Sequence, residues 1–230
     1  MKHDRCLNCF GNIEQEISWK DWWKQDALLC GQCKKQLKRI DLDTQLNGIP
    51  LHIIYEYNEA LESMLFQFKE GRDIALAPVF LYEERKKLID RYRHYHIVLL
   101  PSSEEKRKER GFQPVKEMLR NVSIPTLQPF YKLNNHKQSL QNFENRKLIN
   151  QVIQRDPAIP LPQTPLLLFD DVCTSGSSLK RAYELIQEHT YKIEAFVLCA
   201  HPLFVESCDK KDLRHCDCFS ILEHVARNGR

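Results

Sequence analysis

Short apolar runs alternate along most of this chain with stretches whose apolar positions recur at helical spacing. The runs at 97–100 and 166–169 are unbroken, which is typical of strands buried on both faces of a parallel sheet. Leu61, Met64, Leu65 and Phe68 lie three or four positions apart, so they predict a helix that begins at the N-cap Asn58. The full pattern predicts strands at 52–57, 96–100, 127–131, 165–170 and 193–199, and helices at 59–68, 74–93, after Phe112, and at 177–189.

Strands that alternate with helices predict an α/β fold with a parallel sheet and right-handed crossovers. The alternation covers 46–200, which we expect to form one α/β domain. Residues 1–45 carry clustered Cys, Trp and Lys instead, and residues 201–230 form a tail rich in Cys and His. The spacing of Cys208, Cys216 and Cys218 is not that of a standard metal knuckle, so a partly helical terminus is the alternative to a second metal site.

Composition narrows the range of functions. The chain has 230 residues, 42% hydrophobic and 28% charged, with a net charge of +3, so we expect a soluble globular protein. The modest charge argues against nucleic-acid binding over the whole surface and leaves room for local basic patches. No apolar run is long enough to span a bilayer, and the first residues contain no signal-peptide core. Nine cysteines and no leader predict a reducing, cytoplasmic location.

Four of the cysteines have the spacing of a metal site. Cys6-x2-Cys9 is separated by 20 residues from Cys30-x2-Cys33, and two such knuckles match tetrahedral Zn²⁺. The alternatives are unpaired core cysteines or two redox motifs, although a redox C-x-x-C normally belongs to a βαβ unit. Four thiolates leave no open coordination position, so the predicted zinc is structural. Three tryptophans lie between the knuckles, where they either pack a small core or stack on bases: Trp19, Trp22 and Trp23.

The strand at 165–170 leads into two adjacent carboxylates, Asp170 and Asp171, and then into a turn rich in hydroxyl groups. Ligands of open α/β sheets bind at the carboxyl ends of strands, and backbone N–H groups at a helix N-terminus favour a phosphate. The carboxylates can accept from ribose hydroxyls, and the turn can hold a 5′-phosphate through Thr174, Ser175, Gly176, Ser177 and Ser178. A strand, a turn and an N-cap can produce this pattern without a ligand, but adjacent carboxylates repel each other. The stretch resembles the PRPP-binding motif of type I phosphoribosyltransferases.

The order of five elements resembles the ComF family of competence proteins, in particular its ComFC-like members. The first three elements are the two Cys knuckles, the segment from Tyr57 to 73, and the segment from Pro101 to 112 with Arg107. The last two are 137–150 and 170–178. The resemblance covers most of 1–200 and implies a type I phosphoribosyltransferase-like domain behind an N-terminal zinc module.

The same resemblance implies two further parts of a PRPP site. The loop that binds pyrophosphate corresponds to 101–110, with Ser102, Ser103, Arg107 and Arg110 as its candidates, because guanidinium groups bind phosphate bidentately. An exposed helix start whose basic residues pair with glutamates is the alternative there. The family's flexible loop corresponds to 134–146, where the candidates Lys137, Gln138 and Arg146 are otherwise ordinary solvated charges. Mg²⁺ would accompany PRPP.

Two functions follow from the resemblance. The first is a late competence protein that handles incoming single-stranded DNA in the cytoplasm, at the inner face of the membrane, beside a ComFA-like helicase or translocase. The second is an active phosphoribosyltransferase that displaces pyrophosphate from PRPP with a nitrogen acceptor. No pattern that reads a nucleobase is evident in the sequence, which favours the first function.

Overall fold

The computed structural model describes residues 4–13, 27–133, 153–190 and 192–209. Six strands form the main sheet: β1 (Arg39–Leu46), β2 (Ile49–Glu56), β3 (His96–Leu99), β4 (Thr126–Leu127), β7 (Leu166–Cys173) and β8 (Ile193–Ala200). Strands β5 (Phe130–Lys132) and β6 (Ile153–Arg155) form a separate antiparallel pair. The α-helices are α1 (Gly31–Gln36), α2 (Glu59–Lys69), α3 (Arg85–Tyr92), α4 (Glu104–Arg110), α5 (Pro114–Met118), α6 (Ser177–Ile186) and α7 (Pro202–Asp209), and Ile74–Phe80 forms a 3-10 helix.

The main sheet has the strand order β1-β2-β8-β7-β3-β4. Strand β1 pairs antiparallel with β2, and the other neighbouring pairs are parallel. The predicted α/β class with a mostly parallel sheet is therefore confirmed. From β3 the chain crosses to β4 on one side, whereas from β7 it crosses to β8 on the other side. The sheet thus has a topological switch point between β3 and β7, where open α/β sheets bind ligands.

Each face of the sheet packs against its own set of helices. Helices α2, α3, α5 and the 3-10 helix cover one face, and α6 and α7 with the β5–β6 pair cover the other. The run at 166–169 contributes alternately to both cores and is at most 1% exposed. This burial on both faces explains why the run has no polar position.

Several predicted element boundaries are wrong, each for a local reason. The single helix predicted at 74–93 is instead a 3-10 helix containing Pro78, followed by α3, because proline cannot donate to a helical carbonyl. The strand predicted at 127–131 is divided between β4 and β5. Strand β7 continues to Cys173, so both carboxylates belong to it, and α6 ends at Ile186.

Strand β1 is absent from the predicted elements. It joins the sheet as its edge strand through a hairpin whose turn, Asn47 and Gly48, has positive φ at both residues. Residues 39–45, which the sequence assigned to the cysteine module, therefore pair with the α/β domain.

The predicted N-cap of α2 is confirmed, since the Asn58 side chain accepts a hydrogen bond from the Leu61 N–H. Its C-cap is Glu70. A Cβ at Gly71 would lie 2.5 Å from the Gln67 carbonyl oxygen, so the turn that follows α2 is tight enough to require glycine.

Among the described residues, no helix combines the length and apolar character needed to cross a membrane.

Candidate functional site

A small polar cleft of about 240 Å³ lies at the switch point between β3 and β7. The end of β3 and the end of β7 lie side by side, because the Leu100 N–H donates to the Phe169 carbonyl. The side chains that line the cleft come from α2, the segment after β3, α4, α5, β5, β7 and α6. They are Lys69, Leu100, Pro101, Ser102, Ser103, Lys106, Arg110, Val115, Lys132, Asp170, Asp171 and Ser178.

The two carboxylates of the cleft occupy successive positions of β7, so their side chains leave opposite faces of the sheet. Asp171 meets Lys69 at the end of α2. Asp170 Oδ1 accepts a hydrogen bond of 3.0 Å from the Asp171 N–H, and the charges of Lys69 and Lys132 both act on this carboxyl group. Burial raises the pKa of Asp170 to about 7, and the neighbouring charge of Asp171 adds to the rise. The pair therefore holds a proton more readily than two separate aspartates would.

Three lysines line the cleft and were not predicted as site residues: Lys69, Lys106 and Lys132. The Lys69 Nζ lies 2.6 Å from Asp171 Oδ2, and the two side chains are 18% and 14% exposed. Burial lowers the pKa of Lys132, and the charge of Asp170 acts in the opposite direction. Lys69 lies within the family pattern at 68–73, but no sequence signal shows that the end of α2 reaches the end of β7.

The turn that follows β7 depends on Gly176, whose φ is +73°. A Cβ at this position would lie 2.6 Å from Leu46 Cδ2, at the tip of the β1–β2 hairpin. Ser175 Oγ accepts a weak hydrogen bond from the Ser177 N–H and lies 3.1 Å from Ser177 Oγ. Of the five predicted phosphate-binding residues, Ser178 lines the cleft, and the others form the turn beside it.

The residues predicted on the pyrophosphate side are only partly brought together. Ser102, Ser103 and Arg110 line the cleft, whereas Arg107 lies exposed on α4 outside its lining. Ser103 is the N-cap of α4, so the basic run forms a short helix rather than a loop. The Arg110 side chain is 8% exposed and forms an ion pair with Glu70.

Some predicted residues lie outside the part of the chain that the structure describes. They are the flexible-loop candidates Lys137, Gln138 and Arg146, the three tryptophans between the knuckles, and the tail from 210 onward.

The four knuckle cysteines converge on one point. One Sγ atom from each of Cys6, Cys9, Cys30 and Cys33 lies within 4.8 Å of the others, and this is the one such group of possible metal ligands among the described residues. The Asn8 side chain donates to Cys33 Sγ at 3.3 Å, and the Cys33 N–H approaches Cys30 Sγ. Burial raises the pKa of the Cys33 thiol to about 12. The cluster could hold a metal such as zinc, and four convergent thiols have the donor set that this ion prefers.

The cysteine cluster is attached to the sheet. The Leu7 N–H donates to the Leu28 carbonyl at 2.9 Å, which joins the two knuckles. Leu28 is buried in the core that α2 and the 3-10 helix form, and Leu7, Leu29 and Leu37 pack against that core. Helix α1, which begins within the second knuckle, then leads into β1.

The chain is similar to two curated competence proteins. Competence protein ComFC of Bacillus subtilis (strain 168) is 24% identical, and the match covers 80% of this chain and 88% of that protein. Competence protein ComFC of Streptococcus pneumoniae (strain ATCC BAA-255 / R6) is also 24% identical, over 80% of this chain and 94% of that protein. No protein-family model matches the chain. The ComFC-like resemblance predicted from the motifs is confirmed.

Among solved structures, the APRTase from Giardia lamblia complexed with 9-deazaadenine aligns with a TM-score of 0.35 and 15% identity, over 73% of this chain and 95% of that chain. The strand order and the cleft at the switch point are those of an open, mostly parallel α/β fold.

Proposed function

We propose that this protein is a ComFC-type competence protein that binds a phosphosugar of the PRPP class in the cleft between β3 and β7. The observation that carries the proposal is the composition of that cleft. Asp170 and Asp171 face four cationic side chains, Lys69, Lys106, Arg110 and Lys132, in a space of about 240 Å³. Carboxylates suit ribose hydroxyls, and ammonium and guanidinium groups suit phosphates, so this mixture of charges matches a phosphorylated sugar.

In this proposal the two carboxylates accept hydrogen bonds from the ribose. The turn at 174–178 and the first turn of α6 hold the 5′-phosphate, because backbone N–H groups at a helix N-terminus favour an anion. Ser102, Ser103 and Arg110 lie on the side where a pyrophosphate group would extend. Lys137, Gln138 and Arg146 would belong to a loop that covers the bound ligand.

Two metal ions belong to the proposal. Zn²⁺ would hold the knuckles of a structural module that precedes β1, and four thiolates leave it no position for substrate. Mg²⁺ would accompany the diphosphate of PRPP, whose charge it neutralises. The α/β domain then begins with β1 at Arg39 rather than at 46 and includes α7, and a tail follows from 210.

We further propose a role in natural transformation, from the similarity to the two ComFC proteins. The protein would act on incoming single-stranded DNA in the cytoplasm, at the inner membrane face, beside a ComFA-like helicase or translocase. On α4, the exposed Lys106 and Arg107 offer cations to a DNA backbone. On α3, by contrast, Lys87 and Arg91 form ion pairs with Asp41 and Asp43 of β1, which leaves that helix less positive.

Calorimetry of Mg²⁺–PRPP binding to the zinc-loaded chain tests the phosphosugar site. We expect binding to the wild type and at least about a tenfold loss for the Asp170→Asn/Asp171→Asn double variant, because two acceptors for the ribose lose their charge. Glu188→Gln is the matched control, since Glu188 is exposed and lies outside the cleft. Equal affinity of the double variant and the wild type would refute the site.

The DNA role is tested separately by the anisotropy of a labelled single-stranded oligonucleotide at several salt concentrations. A Lys106→Gln/Arg107→Gln variant should bind more weakly and show a shallower salt dependence. With fewer phosphate contacts, fewer counterions are released from the DNA on binding. Release of pyrophosphate from PRPP, measured in the presence of candidate amines and bases, would identify the alternative activity of a phosphoribosyltransferase.

A further inference from the structure

One of the two carboxylates of the cleft, that of Asp171, forms an ion pair with Lys69. The Lys69 Nζ lies 2.6 Å from Asp171 Oδ2, and less than a fifth of either side chain is exposed. An ammonium group at this distance and burial makes a charge-assisted hydrogen bond rather than a loose surface contact. In the described structure, then, Asp171 does not offer an uncompensated negative charge.

The position of Lys69 is set by the surrounding fold. It is the last residue of α2, next to Phe68, which is fully buried against Phe80 and Phe112. The chain then turns at Gly71, where a side chain would collide with the Gln67 carbonyl. The next residue after Lys69, Glu70, pairs with Arg110. The end of α2 thus supplies a cation to one group of the cleft and an anion to another.

Divalent cations and ammonium groups compete for the same oxygen atoms. Mg²⁺ in phosphate-binding sites is commonly held by one or two protein carboxylates together with the phosphates of the ligand. A carboxylate that is paired with a buried ammonium gains little by exchanging it for an ion that gives up its water reluctantly. It still has acceptor capacity for sugar hydroxyls, because an ionised carboxylate offers about four lone-pair positions.

We infer that the Lys69 ammonium takes the place of a protein-bound divalent cation at Asp171, so the cleft binds the ribose 5-phosphate part of its ligand without one. Mg²⁺ that arrives with a diphosphate is then held by the ligand and by water. This inference rests on the proposed phosphosugar function and adds a cation-specificity role for Lys69, which acts as a positioning residue for Asp171.

The first test uses Mn²⁺ alone as the probe, followed by the electron paramagnetic resonance signal of the free aqueous ion. The samples are zinc-loaded full chains of wild type, Lys69→Met, Lys69→Met/Asp171→Asn and Lys116→Met; Lys116 is exposed on α5 and outside the cleft. We expect Lys69→Met to remove about one equivalent of the free signal more than the other three proteins remove. Lys69→Arg should behave as the wild type does, because the guanidinium also satisfies the carboxylate.

Two results of the Mn²⁺ test would overturn the inference. The first is a wild-type site for Mn²⁺ that Asp171→Asn abolishes. The second is a Lys69→Met variant, folded by circular dichroism, that binds no more Mn²⁺ than wild type.

The second test measures the affinity for ribose 5-phosphate in buffer freed of divalent ions on a chelating resin, and again with millimolar Mg²⁺. Wild-type affinity should change by less than about twofold, whereas Lys69→Met should gain about tenfold from Mg²⁺. If no protein binds ribose 5-phosphate or PRPP, the proposed function fails, and the Mn²⁺ test still decides which cation Asp171 holds. If ribose 5-phosphate binds but wild-type affinity requires Mg²⁺, only the inference fails.

Discussion

The cysteine cluster and the cleft between β3 and β7 each bring acidic groups close together, but they do so with different partners. At the cluster, four thiols lie within 4.8 Å of one another, and their hydrogen-bond partners are the Asn8 side chain and backbone N–H groups. At the cleft, two adjacent carboxylates are accompanied by Lys69 and Lys132. The cluster offers four possible ligands to an external cation, whereas the cleft carries its own cations. On the function proposed above, this difference separates a site that maintains the fold from a site that binds and releases a ligand.

The largest expected effect comes from removing the metal. Chelation, or Cys6→Ser, should unfold the knuckles around 4–36, because structural zinc contributes on the order of 10 kcal/mol to the folding of small modules. Hydrogen exchange should show loss of protection at the Cys6, Leu7 and Phe10 amides and retained protection in β7 and β8. Cys208→Ser is the control, since Cys208 lies on α7, outside the cluster. An unchanged zinc content in Cys6→Ser would contradict the assignment of the cluster.

The next largest effect is expected at the contact between the β1–β2 hairpin and the turn that follows β7. Gly176→Ala should lower the free energy of unfolding by about 3 kcal/mol, because it combines a positive φ with a collision against Leu46. Gly111→Ala is the matched control: its φ is +79° and nothing lies within 4 Å, so we expect about 1 kcal/mol. Urea unfolding measures both values.

The Leu46→Ala background completes that comparison. Gly176→Ala should there cost about as much as Gly111→Ala, since the colliding methyl groups are gone. An undiminished cost of Gly176→Ala in this background would show that the hairpin does not support the turn.

A smaller effect on the free energy of unfolding is expected from the raised pKa of the Asp170 carboxyl. The pKa of Asp170 is raised in the folded protein from 3.8 to about 7, so the folded state binds a proton that the unfolded chain releases in this range. Its carboxyl therefore lowers stability progressively as pH rises from about 4 to 7. Asp170→Asn should raise the free energy of unfolding at pH 8 by about 2 kcal/mol and have little effect near pH 4. Urea unfolding at both pH values measures this, with Glu188→Gln as the control; equal effects at the two pH values would contradict it.

The smallest effect is a difference in PRPP affinity between variants of Arg107 and Arg110, both on α4. Arg110→Gln should weaken PRPP binding about tenfold, because Arg110 lines the cleft, whereas Arg107→Gln should change it by less than about twofold. Calorimetry under the conditions used for the wild type measures both. A greater loss for Arg107→Gln would mean that α4 presents its other face to the ligand.

The arginines also illustrate which site features the sequence could predict. The resemblance placed both on the pyrophosphate side, and the helical geometry of α4 turns only Arg110 toward the cleft. The sequence left 101–110 open between a loop, in which the two arginines are equivalent, and an exposed helix start, which is the one that the structure shows. Ser103 as an N-cap and glutamates in the first turn were the available signals for a helix.

Features encoded within short stretches were determined by the sequence itself. The unbroken apolar run before Asp170, the Asn58 cap and the doubled cysteine spacing each depend on neighbours a few residues away, or on a fixed ligand geometry. They were sufficient to predict the α/β class, the acidic pair and the four possible metal ligands.

The residues that contact the acidic pair and the turn after it were decided only by the tertiary structure. Lys69 and Asp171 are about a hundred residues apart in the chain, and Leu46 and Gly176 are farther apart still. Such pairs have no fixed spacing, because they form where the strand order brings distant segments to one edge of the sheet. For the same reason β1 could not be predicted from the sequence. Its many polar residues form a strand because they pair with the edge of β2.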